Sequence, residues 1–193
     1  MKSLQLTKPY LLVVVGLPGS GKSYFAEKFS DTFSAPYVDF GHFTRIAGNQ
    51  KTGHQLATHS LGQLLRTKQT IVIEGRGATK ADRKDIVLAA HKNGYATLFI
   101  WVQTEPATAE HRAVYAKSAT MTQAEFDDQA GRFENLVPGE QYVVISGKHT
   151  HPSQAKTVLR RLVTDRPEAT IPKPTITRQV PPRPTRSGRI RIG

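Results

Sequence analysis

VVVGLPGSGKS, Val13 to Ser23, is an apolar run that breaks into a glycine-rich turn carrying one lysine and one serine. The spacing G-x-x-x-x-G-K-S runs from Gly16 to Ser23. Upstream, LLVVVG (Leu11–Gly16) is short, valine-rich and bounded by glycine, the pattern of a buried strand. Downstream, Phe25, Phe29 and Phe33 recur every four residues, which predicts a helix over Ser20–Phe33 with one apolar face. A strand, a glycine turn and a helix N-terminus together aim backbone N–H groups at an anion. Gly16, Gly19 and Gly21 let the backbone approach phosphate oxygens, and Pro18, Ser20 and Tyr24 complete the expected cradle. Lys22 is expected to reach the β- and γ-phosphates of a nucleoside triphosphate, ATP or GTP, and Ser23 to offer its hydroxyl to Mg²⁺. A guanine-reading N-K-x-D motif does not occur in the chain, which argues against a GTPase switch.

The same alternation continues along the chain. Strands are predicted at Ala35–Phe40, Thr70–Gly75, Ala96–Val102 and Gln141–Ser146. Helices are predicted at Gly53–Lys68, Thr79–Asn93, Pro106–Lys117, Thr122–Phe133 and Pro152–Val163. Leu56, Leu61, Leu64 and Leu65 supply the inward face of the first, Ile86, Val87 and Ala90 that of the second, and Val158, Leu159, Leu162 and Val163 much of the last. Thr122 with Glu125 three residues on has the spacing of a capping box. Strands alternating with helices predict an α/β fold, a parallel sheet with helices on both faces. Ligands of such sheets bind beyond the C-terminal strand ends.

Two acids fall at those ends. Asp39 closes the second strand, where a carboxylate can orient or deprotonate an attacking hydroxyl. Glu74 closes TIVIE, the pattern of a carboxylate acting on Mg²⁺. Arg45, Arg76 and Arg83 lie close behind and are candidates for holding a substrate phosphate. The seven histidines offer no metal-ligand spacing, His149 and His151 included.

Composition bounds the rest. The 193 residues include no cysteine, which rules out disulfides and thiolate chemistry and fits a cytoplasmic protein. No apolar run approaches the ~20 residues of a membrane span. Net charge is +12, which suggests a polyanionic partner. Residues 165–193 hold seven of the 27 Lys and Arg, two of the 15 Asp and Glu, and six of the 12 prolines. With almost no large apolar residue, that stretch is expected to be a disordered, basic, proline-rich tail following a domain over residues 1–164. VPPRP and RSGRIRIG within it are candidate contacts for a protein groove or for nucleic acid.

GLPGSGKS, VDF, TIVIEGRGATKADRKDI, LFIWVQTEPATAEHR and GRFENLVPGEQYVVISG together resemble the polynucleotide-kinase-like, zeta-toxin-like branch of the P-loop kinases, over roughly residues 10–163. The resemblance implies a P-loop kinase fold with a five-stranded sheet in the order 2-3-1-4-5 and a helical lid over about residues 110–132. It implies that Arg112 touches the donor phosphates, with Arg132 a second candidate, and that Asp39 receives the acceptor hydroxyl. His42 stands where these relatives carry arginine three residues after that aspartate, and EGRGAT replaces a D-x-T-N-like segment. Two function classes follow. One is an ATP-dependent kinase acting on a hydroxyl, on a nucleic acid 5′-end or on a nucleoside, sugar or other small metabolite. The other is a nucleotide-binding module or weak ATPase that holds a protein or RNA partner through its tail.

Overall fold

Tyr10–Val15 (β1) lies at the centre of the sheet with all six residues buried. The computed structural model describes residues 6–117, 119 and 121–164, and the proline-rich tail expected from the sequence lies outside them. β1 is flanked by Ile71–Glu74 (β3) and Ala96–Gln103 (β4), all parallel. Tyr37–Asp39 (β2) adds to β3 and Tyr142–Ser146 (β5) adds to β4. The order is therefore β2-β3-β1-β4-β5, with every pair parallel, as the resemblance implied.

The period of two along β1 divides the core between two faces. Leu12 and Val14 meet Phe25 and Phe29 from Lys22–Phe33 (α1), and Val158 and Leu162 from His151–Thr164 (α7). Leu11 and Val13 meet Ala57 and Leu65 from Gln50–Leu65 (α3), and Ile86 and Ala90 from Lys80–Lys92 (α4). Phe25 and Phe29 have no exposed surface and their rings lie 5.3 Å apart, so each stabilises the fold by roughly 2–3 kcal/mol through burial. The capping box at Thr122 closes as expected at the start of Gln123–Arg132 (α6), with both reciprocal bonds made.

Several boundaries and faces differ from the sequence reading. α1 begins at Lys22 because Gly21 sits at φ 99° and cannot be helical. Phe40–Ala47 forms a helix of its own (α2), which the sequence reading missed. Its start is fixed by the Asp39 side chain, which accepts the Gly41 N–H at 2.8 Å. The single helix expected over Pro106–Lys117 divides into Pro106–Glu110 (α5) and a π-helical turn, His111–Tyr115. Leu56, Val87 and Val163, expected inward, are exposed instead, since smaller residues such as Ala57 and Ala90 make the contact that lets helix and sheet approach closely. Among the described residues no helix is long and apolar enough to cross a membrane.

Candidate nucleotide site

The loop between β1 and α1 follows a tight path that only glycine permits at two points. Gly16 has φ 145°, and a Cβ there would stand 2.5 Å from the Val102 carbonyl oxygen. Gly19 has φ 72°, and a Cβ would stand 2.0 Å from the Ala109 carbonyl oxygen in α5. The loop is thus pressed against β4 on one side and α5 on the other. Thr104 secures the first contact by donating its hydroxyl to the Ser20 carbonyl at 3.0 Å. Ser20 is fully buried, and Tyr24, one turn into the helix, is exposed.

Lys22 and Ser23 open α1. The Lys22 ammonium donates to the Leu17 carbonyl across the loop at 2.8 Å. Burial lowers its pKa, against the opposing pull of the Glu74 and Asp39 carboxylates. Ser23 Oγ donates to Glu74 Oε1 at 2.7 Å, joining the first turn of α1 to the end of β3. Glu74 is only 6% exposed. Burial raises its pKa and the charge of Asp39 adds to this, while the Ser23 bond and Lys22 oppose it. Its second oxygen, Oε2, is buried with no hydrogen-bond partner.

These donors fit Mg²⁺. A hydroxyl and a carboxylate with one unsatisfied buried oxygen are the hard ligands it prefers, with phosphate oxygens and water completing its shell. Among the described residues no group of three or more His, Asp or Glu forms a cage of its own.

The remaining candidates from the sequence separate. Asp39 lies in register with Glu74 on the neighbouring strand, close enough for each to feel the other's charge. Besides capping α2 it pairs through Oδ2 with Arg45 Nη2 at 3.3 Å. Arg76 is ion-paired with Asp82, and its guanidinium lies 5.6 Å from the centre of the Phe40 ring. Arg132 pairs with Asp128 on the outer face of α6 at 2.7 Å. Arg112, in the π turn, is exposed and its side chain makes no hydrogen bond or ion pair with any described residue.

Arg83 requires a correction. It was expected to hold a substrate phosphate, yet its side chain is 1% exposed and bonds inward throughout. Nε and Nη2 donate to the Glu140 carboxylate at 2.6 and 3.2 Å. Nη1 donates to the Gly77, Ala78 and Glu134 carbonyls and Nη2 to that of Asn135. Arg83 therefore clamps the segment between α6 and β5 to the start of α4. Nothing in a local sequence window pairs Arg83 with a carboxylate 57 positions away.

A cleft of about 710 Å³ opens beside the loop on its β4–β5 side, lined by Leu17, Trp101, Gln103, Phe133, Asn135 and Lys148 among others. Asp39 and Glu74 lie on the opposite, β2–β3 side. The loop thus has an acidic flank and a roomy flank. Thr104 and Tyr37 are the site residues that sequence reasoning overlooked. Tyr37 was legible, because it precedes Asp39 by two and so shares its face of the strand.

Strand order, loop and the Ser23–Glu74 link define a P-loop kinase fold. The fold is similar to that of a sugar kinase from Janibacter sp. HTCC2649, with 16% identity, TM-score 0.61, and coverage of 81% of this chain and 95% of that one. It is similar to a gluconokinase from Sinorhizobium meliloti 1021, with 16% identity, TM-score 0.61, and coverage of 81% and 93%. The APS kinase CysC of Mycobacterium tuberculosis, solved with AMPPNP and APS, aligns at 14% identity and TM-score 0.59 over 81% of this chain and 98% of that one. Such identities establish the fold. No curated protein sequence matches this chain. Residues 11–136 match the family model described as AAA domain, and the chain belongs to that family.

Proposed function

We propose that this protein is an ATP-dependent kinase that transfers the γ-phosphoryl group of ATP to a hydroxyl. The observation that carries the reading is the Ser23–Glu74 bond at the mouth of the glycine loop, with Asp39 beside it in register. In-line phosphoryl transfer asks a protein chiefly for positioning and charge neutralisation. The loop N–H groups and Lys22 hold the β- and γ-phosphates, Lys22 exchanging the Leu17 carbonyl for phosphate oxygens. Ser23 and Glu74 hold Mg²⁺, which neutralises charge on the triphosphate. Asp39 accepts the hydrogen bond of the attacking hydroxyl and takes its proton. The acceptor oxygen forms the new P–O bond, the bond to the bridging oxygen breaks, and ADP leaves. The Asp39–Arg45 pair does not block this, because Arg45 is 70% exposed and such pairs are weak. Arg112, whose side chain pairs with no described residue, would meet the negative charge of the transferring group.

A small hydroxylated molecule is the acceptor we favour. Arg45, Arg76, Arg132 and Lys148 each pair with a carboxylate of the protein. These side chains carry little uncompensated charge for a polyphosphate backbone. The net charge of +12 supports a second reading, a nucleic acid 5′-hydroxyl. Incubation with Mg²⁺ and ATP, with mass spectrometry for the addition of one phosphoryl group, tests both. Sugars, polyols and nucleosides are offered in parallel with 5′-hydroxyl DNA and RNA oligonucleotides. A product among the small molecules supports the first reading, and one among the oligonucleotides replaces it with the second.

A further inference from the structure

Glu74 is bracketed. On one side Ser23 donates to Oε1. Tyr37 also stands close to the same carboxylate. The strand register explains the approach. Tyr37 pairs with Val72 and Asp39 with Glu74, so Tyr37 and Glu74 are diagonal neighbours on one face of the sheet. The Tyr37 ring lines a surface groove with Glu27 and Asp31. Its hydroxyl, in contrast, is buried, and neither it nor Glu74 Oε2 closes a hydrogen bond of good geometry.

Two adjacent orphans of opposite kind, one donor and one acceptor, are an unusual pair to leave buried. Each costs desolvation free energy while unmet, and phenylalanine would fill the same half-buried place without that cost. A bond between them would satisfy both. A phenol carries its proton near neutral pH, so the hydroxyl is a donor and Glu74 Oε2 the acceptor beside it.

We propose that Tyr37 is a positioning residue: its hydroxyl holds Glu74 from the side opposite Ser23, so that the carboxylate is fixed in place before a metal–nucleotide complex arrives. The inference rests on the reading of Ser23 and Glu74 as the metal-binding pair. Groups that orient a metal ligand commonly govern affinity for the metal as strongly as some ligands do. Tyr37 would then act on the metal alone and leave the grip of the loop on phosphate untouched.

Mn²⁺ in place of Mg²⁺ gives a direct readout, since its binding to the protein–ADP complex is followed by electron paramagnetic resonance. Tyr37→Phe should weaken Mn²⁺ binding about tenfold, with ADP affinity in EDTA unchanged. Retained Mn²⁺ affinity in Tyr37→Phe, alongside a loss in Glu74→Gln, overturns the role of Tyr37 and keeps the metal site. An equal fall of ADP affinity in EDTA also overturns it, by making Tyr37 a general support of the loop. Unchanged Mn²⁺ affinity in Glu74→Gln refutes the metal site itself, and the inference with it.

Discussion

Asp39 and Glu74 stand side by side in register on β2 and β3, yet their carboxylates are held by different partners. Glu74 is buried and bonded to Ser23 of the glycine loop. Asp39 is bonded to Gly41 and Arg45 on the side away from it. On the proposed reading the pairing divides two tasks between two neighbouring acids, with metal on one and acceptor on the other.

Asp39→Asn separates those tasks. Asparagine retains an oxygen for the Gly41 N–H, so the cap of α2 survives. It cannot take a proton from the acceptor. The turnover number should fall about 10²–10⁴-fold, while ATP affinity by calorimetry stays at the wild-type value. Normal turnover in this variant would remove Asp39 from the acceptor side.

Arg112→Ala tests the lid. An unpaired guanidinium that meets the transferring group stabilises the transition state more than bound ATP. Turnover should drop about 10³-fold with ATP affinity little changed. Equal losses in both would make Arg112 a binding residue only.

The fold was more legible than the acceptor side, for a physical reason. The strands and the loop follow from local patterns: the valine run ending at Gly16, the Phe25–Phe29–Phe33 stripe, and the spacing of Gly21, Lys22 and Ser23, while the strand order follows from the family resemblance. Ser23 and Glu74 each stand out in the sequence by local pattern, and the fold joins them by a hydrogen bond although 51 positions separate them. The roles of Arg76 and Arg83 were not, because both depend on which carboxylate each meets in space. Arg76 meets Asp82, a short step along the chain, and Arg83 meets Glu140 across the fold. The α2 helix was obscured by its own composition, since FGHFTRIA mixes glycine, threonine and aromatic residues that do not favour helix.

Glu140→Gln should expose what Arg83 does. Burial by itself would raise the Glu140 pKa, but the Arg83 hydrogen bonds, the Val137 N–H and the charges of Arg83 and Lys80 together hold it below its usual 4.5. The depressed value means that the ionised form stabilises the fold. That stabilisation is present in full above about pH 4.5 and is lost as pH falls through the lowered folded value. Removing the charge leaves the buried guanidinium uncompensated and should cost about 3 kcal/mol near neutral pH. Urea unfolding across the acid range should show the wild type losing stability more steeply than the variant. Parallel curves would dismiss Glu140 as a source of the acid slope.

Gly19→Ala probes the contact between loop and lid. The added methyl meets the Ala109 carbonyl carbon and oxygen, and the φ of 72° disfavours any side chain. The loop must shift, and nucleotide affinity should fall by more than tenfold while the thermal midpoint changes by only a few degrees (the strain is worth about 1–3 kcal/mol). Wild-type ATP affinity would show that loop and lid tolerate separation.

The most direct test of the kinase reading follows the γ-phosphate itself. Wild-type protein, Lys22→Ala and Asp39→Asn are each given Mg²⁺, γ-labelled ATP and the acceptor panel. Label on a hydroxyl product with the wild type, absent with Lys22→Ala and nearly absent with Asp39→Asn, is the predicted result. Label released only as free phosphate, or retained on ATP whatever the acceptor, would contradict it and identify a nucleotide-binding module instead.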